Sequence, residues 1–124
     1  MRALIVDDSR FVRGYLRGIL AGKGIECEEA PDGRAGLELL HGSERFDLVL
    51  LDWNMPVMNG LETLKRIRSE RNERTKVLMV TTEAEHEFIE RALEAGADEY
   101  LMKPFDVGAL EDKLSMLGLA GADR

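Results

Sequence analysis

Four short apolar runs in this chain each end on residues with chemistry to offer. Residues 3–6 lead into Asp7 and Asp8, residues 48–51 into Asp52, residues 77–80 into Thr81, and residues 100–102 into Lys103. Runs this short cannot make a helix of their own and read as strands buried on both faces of a parallel sheet. Ligands of an open parallel sheet bind just beyond the carboxyl ends of its strands. The runs therefore bring three carboxylates, one hydroxyl and one ammonium to a single end of the fold. Carboxylates crowded in this way repel one another unless a cation lies among them, and one lysine does not balance three. The set asks for a divalent metal, and the lysine asks for an anion.

Helical patterns fill the intervals between the runs. Ser9 is a good N-cap, and a helix is expected from there to about residue 23, with Val12, Leu16, Ile19 and Leu20 as its buried stripe. Gly14 and Gly18 inside it mark either close packing or mere tolerance, at about 1 kcal/mol each against alanine. Residues 25–30 mix Ile25 and Cys27 with Glu26 and Glu28 and read as a half-exposed edge strand. Pro31, Asp32 and Gly33 form a turn, and residues 35–40 a short helix with Leu37 and Leu40 inward. Residues 46–51 are the third strand, Pro56 and Asn59-Gly60 punctuate a loop, and residues 61–70 are a helix buried through Leu61, Leu64 and Ile67. A polar connector at residues 71–76 precedes the fourth strand. The fourth helix, residues 85–95, sets Ile89, Ala92 and Leu93 on one face and ends at Gly96. A strand at residues 99–102, a helix at 106–117 and a frayed tail at 118–124 complete the chain. Regular alternation implies right-handed βαβ units. The expected fold is α/β, a flavodoxin-like doubly wound arrangement of five βα units with strand order 2-1-3-4-5, in a single domain spanning residues 1–124.

Composition narrows the function classes. A net charge of −7 and a pI near 4.9 argue against nucleic acid or an anionic membrane as partner. The single cysteine, Cys27, excludes an internal disulfide and a cysteine zinc site, and reads as a buried small hydrophobe. Two aspartates interrupt the first apolar run, so no signal peptide is expected, and no run approaches the length of a membrane span. A cytoplasmic protein is the expectation. His41 marks a helix end and His86 a solvated surface; neither has a metal-ligand partner at useful spacing.

Asp8 and Asp52 offer hard oxygen ligands that suit Mg²⁺ or Mn²⁺ rather than zinc, and a main-chain carbonyl in the loop after Asp52 can add another. A carboxylate can also attack phosphorus to give an aspartyl phosphate. A metal and a lysine neutralising the transferring oxygens would supply most of such a catalysis. Asp52, with the other acids on one side and Lys103 on the other, is the candidate nucleophile, and Thr81 offers a hydroxyl to the same group.

Asp7-Asp8-Ser9, Asp52-Trp53-Asn54-Met55-Pro56 with Gly60, Val80-Thr81 and Lys103-Pro104-Phe105 together resemble the receiver domain of two-component response regulators, and the likeness runs from Arg2 to about Leu117. Within that family the chain looks most like the stand-alone chemotaxis regulators, through Asp52 to Pro56, Leu78 to Thr81, and Tyr100 placed three residues before Lys103. The resemblance implies that a histidine kinase phosphorylates Asp52. It implies that Asp7, Asp8, Asp52 and the Asn54 carbonyl serve a Mg²⁺ site and that Lys103 binds the phosphoryl oxygens. Thr81 and Tyr100 would relay the modified state, with Tyr100 turning from exposed to buried, to a face of helix four, strand five and helix five around Phe88, Tyr100 and Lys113. Asn54 and Glu83 would tune hydrolysis, and the Lys103-Pro104 bond would be cis. Implied partners are the kinase, an output protein such as a flagellar motor switch, and a phosphatase; a monomer is expected. One departure is Thr82, bulkier than the small residue usual after the switch threonine. The rival readings are a metal-dependent phosphatase, a flavin carrier of similar fold, and a receiver cut from a larger regulator. The phosphatase would want an acid two residues after the nucleophile, where Asn54 stands with an amide that cannot act as one. The flavin carrier would want a phosphate loop where Asp7 and Asp8 repel phosphate.

Overall fold

A computed structural model describes residues 1–42, 45–70 and 75–119. The elements alternate: β1 Arg2–Val6, α1 Arg10–Ala21, β2 Glu26–Ala30, α2 Gly33–Leu40, β3 Leu48–Leu51, α3 Gly60–Glu70, β4 Lys76–Thr81, α4 His86–Glu94, β5 Glu99–Met102 and α5 Val107–Met116. The strands pair in parallel in the order β2-β1-β3-β4-β5. The expected fold class is therefore the observed one, with mixed strand β2 at an edge.

Alternation along each central strand divides the core in two. Leu4, Val6, Val49, Leu51, Val77 and Met79 face one side and pack with residues of α2, α3 and α4. Ala3, Ile5, Leu48, Leu50, Leu78 and Val80 face the other and pack with residues of α1 and α5. All twelve are essentially without exposure, which is why their sequence reads as unbroken apolar runs.

Local chemistry sets the element ends. Ser9 caps α1 by accepting from the Val12 N–H, and Asp106 caps α5 by accepting from the Ala109 N–H. Asp32 is an N-cap, accepting from the Ala35 N–H, so the turn expected at Pro31 to Gly33 is shorter and α2 begins at Gly33. β3 starts at Leu48 rather than Phe46, although Phe46 is still buried. Gly96, at φ +114, closes α4 as expected. Leu93 departs from expectation: it is 46% exposed, because Ala92 is the buried residue of α4 and the helix turns Leu93 past the core edge. The start of the tail is also more ordered than expected. Gly118 adopts φ +77, the Leu119 N–H donates to the Leu114 carbonyl, and Leu119 packs on the second core cluster. The remainder of the expected fray, and most of the 71–76 connector, lie outside the described residues.

Candidate functional site

Strand register decides what meets at the carboxyl end of the sheet. Val6 is level with Leu51, and Thr81 with Met102. Asp7 and Asp52 therefore emerge side by side, whereas Leu51 is level with Met79, so Thr81 and Lys103 stand one and two residues farther along and the Lys103 side chain reaches back past β4 to both acids. One ligand oxygen from each of Asp7, Asp8 and Asp52 falls within 4.8 Å of the others. Asp7 and Asp52 are buried and Asp8 is exposed.

Asp7 is held at every polar atom. Its N–H donates to the Ala30 carbonyl at 3.1 Å, and its carbonyl accepts from Arg13 Nη1 at 2.6 Å. Oδ1 accepts from the Ser9 N–H and Oδ2 from Lys103 Nζ, both at 2.8 Å. Arg13 is a residue that sequence reasoning missed. Nothing in a helical pattern tells that its guanidinium folds back onto the chain, where it also meets Glu29 at 3.0 Å. Asp8, one residue on, has its carboxylate in solvent and is the freest of the three to meet a cation.

Asp52 is oriented by its two oxygens differently. Oδ1 accepts from the Trp53 N–H at 2.8 Å, whereas Oδ2 lies 3.5 Å from Lys103 Nζ. Burial, and next the neighbouring Asp7 charge, push the Asp52 carboxyl above the usual carboxylate range; Lys103, the Thr81 hydroxyl and the Trp53 N–H oppose that rise. Thr81 is wholly buried, and its Oγ1 also accepts from the Glu83 N–H at 3.3 Å. The Lys103 N–H donates to the Thr81 carbonyl at 2.9 Å, and the Lys103-Pro104 bond is cis.

The backbone under Asp52 leaves no room for a side chain at Gly60. A methyl there would fall on the Asp52 carbonyl oxygen and 2.7 Å from the Trp53 Cα. The Gly60 N–H donates to the Trp53 carbonyl at 2.7 Å, which pulls the loop tight. Asp8, Trp53, Asn54, Met55, Pro56 and Asn59 line an open cleft of about 470 Å³ beside the acids.

Of the remaining sequence-predicted residues, Asn54, Glu83 and Tyr100 also gather here. Asn54 Nδ2 donates to Glu83 Oε2 at 2.6 Å across the mouth of the site, and Thr82 is exposed beside it. Tyr100 is not on an exposed face: it is 8% exposed, and its hydroxyl donates to the Glu83 carbonyl at 2.6 Å. Burial, followed by the Glu83 and Asp52 charges, pushes its hydroxyl up to about 12. The inward ring fills space between β5 and the β4–α4 loop, a choice between rotamers that no sequence pattern encodes. Phe88 is half-buried edge-on against Trp53, ring centres 5.1 Å apart, and Lys113 pairs with Glu99 at 2.8 Å. His41 is the C-cap of α2 and meets Glu70; His86 opens α4 and meets Glu90. Neither histidine joins the acids. Cys27 lies buried on β2, where burial raises its thiol to about 11. No described helix is long and apolar enough to cross a membrane.

Residues 3–115 match the family described as the response regulator receiver domain. A chemotaxis protein CheY of Pseudomonas aeruginosa is 40% identical over 119 residues, covering 94% of this chain and 95% of that one. The solved structure of Vibrio cholerae chemotaxis protein CheY4 superposes with a TM-score of 0.84 at 37% identity, covering 94% of this chain and 97% of that one. A CheY-like receiver domain protein from Methanospirillum hungatei reaches 0.87 at 35% identity, covering 98% and 95%.

Proposed function

The chain belongs to the response regulator receiver domain family, and from that premise we propose that it is a phosphorylation-activated switch whose phosphoryl acceptor is Asp52 Oδ2. The observation that carries this reading is the asymmetry of the Asp52 carboxylate. Oδ1 is tied to the Trp53 N–H at 2.8 Å, and Oδ2 is left facing Lys103 at 3.5 Å. Oδ2 attacks phosphorus in line with the leaving nitrogen of a donor phosphohistidine. The P–N bond breaks as the P–O bond forms, and the released imidazole takes a proton from solvent. Lys103 moves its charge from the carboxylates to the transferring oxygens, and Thr81 turns its hydroxyl to one of them.

Asp7, Asp8, Asp52 and the Asn54 carbonyl are the groups that would hold Mg²⁺, with Mn²⁺ a chemical substitute. The hard oxygen donors and the unneutralised charge of three close carboxylates fit such an ion. When bound, it would neutralise developing charge on the phosphoryl oxygens.

The switch reading rather than an enzyme with turnover is supported by Asn54. Its amide is bonded to Glu83 and has no proton to give to a leaving group. The same bond holds the two residues together and supports a shared role for them in tuning the lifetime of the phosphate. Output runs through Thr81 and Tyr100 to α4, β5 and α5. Tyr100 is already inward here, so the relay does not start from an exposed ring. Moving a population from 1:99 to 99:1 takes about 5.5 kcal/mol, and one charge-assisted hydrogen bond to Thr81 gives roughly 1.5–3. Metal, Lys103 and the partner supply the rest. Resemblance to chemotaxis regulators favours a histidine kinase as donor, a motility protein such as the flagellar motor switch as target, and a phosphatase as antagonist. It also favours a cytoplasmic, monomeric, single-domain protein.

Incubation with Mg²⁺ and acetyl phosphate tests the acceptor. One phosphoryl group, labile to hydroxylamine and absent from Asp52→Asn, is the expected result. Labelling of Asp52→Asn at the wild-type rate would refute it.

A further inference from the structure

Asp8 is the one acid of the site whose carboxylate makes no hydrogen bond among the described residues, and it is exposed. Its place is therefore set by the backbone that carries it. Both peptide groups flanking Asp8 are held. The one before it presents the Asp7 carbonyl, which accepts from Arg13 Nη1 at 2.6 Å, a short, charge-assisted bond. The one after it presents the Ser9 N–H, which donates to Asp7 Oδ1 at 2.8 Å.

Arg13 is itself fixed. It lies in the first turn of α1 with its side chain 14% exposed, and its Nε donates to Glu29 Oε1 at 3.0 Å. The other oxygen of Glu29 accepts from Arg17 Nη1 at 2.7 Å. The Arg17 bond, opposed by burial and joined by the Arg13 bond, holds the Glu29 carboxyl below the usual carboxylate range. Glu29 is thus an anion facing Arg13 from the end of β2. A guanidinium presents its donors in one rigid plane, so a carboxylate on Nε also fixes where Nη1 points. A cation this close to the acids repels a divalent ion. Charge alone would therefore make Arg13 unfavourable to metal binding, and its bond to the ligand backbone is what can favour it.

We propose that Arg13, aimed by Glu29, is a positioning residue for the divalent ion. By holding the Asp7 carbonyl it fixes the peptide that carries Asp8, so that a carboxylate with no bond of its own meets the ion from an ordered backbone. Ordering the ligand beforehand removes a cost that binding would otherwise carry. This inference rests on the reading that Asp7, Asp8 and Asp52 hold Mg²⁺.

The experiment titrates Mg²⁺ into the folded wild type and three variants, followed by the emission of Trp53. Arg13→Gln should bind about tenfold more weakly, the scale for losing a group that supports a metal ligand. The sign is diagnostic, because removing a cation beside the acids should by charge alone tighten binding. Arg17→Gln makes the same charge change but leaves the bond to the Asp7 carbonyl, and should bind no more weakly than wild type. Arg13→Lys, with the charge but without the fork, should fall between wild type and Arg13→Gln, and it decides the matter if Arg13→Gln does not fold. With acetyl phosphate, Arg13→Gln should be slow at limiting Mg²⁺ and recover the wild-type rate at saturating Mg²⁺. Equal or tighter binding by Arg13→Gln overturns the proposal, as does equal weakening in Arg17→Gln. A rate that stays low at saturating Mg²⁺ with unchanged affinity also overturns it, since Arg13 would then act on the fold or on Asp52. A wild type with no saturable response removes the Mg²⁺ reading, and this proposal with it.

Discussion

Burial of Asp52 has a consequence for stability that can be signed. Its folded pKa is raised, chiefly by burial and then by Asp7. A carboxyl raised on folding binds its proton more tightly in the folded state. Its contribution to stability is therefore full below the unfolded value and is lost as pH rises through the folded one. At neutral pH the metal-free chain holds this charge at a cost. Asp52→Asn should accordingly raise the melting temperature in EDTA at about pH 7.5, by a few degrees, and the gain should shrink as pH falls toward about 4. Thermal melts of the two proteins across that range provide the check; a gain that grows on acidification would contradict the sign. Asp52 itself was legible in the sequence because it follows an apolar run. The roles of its two oxygens were not, since they depend on which backbone N–H points inward after the strand ends.

Helix α1 and helix α4 show how far an element can be read from its pattern. In α1, Leu16 and Leu20 are buried and Val12 and Ile19 pack at the margin, as the spacing requires. Gly14 and Gly18 are exposed, with nothing within 4 Å of an added Cβ. Of the two readings left open for them, close packing is thus excluded. Gly14→Ala and Gly18→Ala should each stabilise the chain by about 0.5–1 kcal/mol, seen as a higher urea midpoint with unchanged slope; no gain from either would mean α1 frays there. In α4 the pattern misplaced Leu93, because this helix has Ala92 as its buried residue and no side-chain bond at its N-cap Glu85. Besides Ala92 and Ile89 on the core, aromatic contacts hold it. Phe88 meets Trp53 edge-on at 5.1 Å, and the Arg91 guanidinium lies 5.8 Å from the Trp53 ring and 6.0 Å from Phe88. Phe88→Ala should remove roughly 1–2 kcal/mol of packing. It should speed amide exchange across α4 while sparing β1 and β3, and shift the emission of Trp53, the only tryptophan, to the red. Unchanged emission would show that Phe88 does not shield that ring.

Across the whole molecule, topology was the most legible property and contact detail the least. Four apolar runs and one mixed strand separated by helical patterns admit few arrangements once crossovers must be right-handed, and the order β2-β1-β3-β4-β5 follows from placing the mixed strand at an edge. The convergence of Asp7, Asp8, Asp52, Thr81 and Lys103 follows in turn, since each sits just past or at a strand end. The bonds that link the site to its surroundings depend instead on rotamers chosen in three dimensions: Arg13 to the Asp7 carbonyl, Asn54 to Glu83, Tyr100 to Glu83. The concentration of negative charge has a further global effect. The chain carries −7, and three of its carboxylates lie within ligand distance of one another with Lys103 as the cation contacting Asp7 and Asp52. A divalent ion bound among them acts on the folded state alone, because the unfolded chain does not hold the three together. It stabilises by RT ln(1 + [L]/Kd), about 2.7 kcal/mol at a hundred times Kd, or several degrees for a chain this size. Melting temperature should therefore climb with Mg²⁺ and level to a logarithmic slope, while NaCl at matched ionic strength gives only a small, featureless change. Asp8→Ala removes the most accessible ligand and should abolish most of the climb. Glu28→Ala, the same charge change on the exposed edge strand, should leave it intact. Equal climbs in the two variants would mean that Mg²⁺ screens the acidic surface at large and that the three aspartates do not form its site.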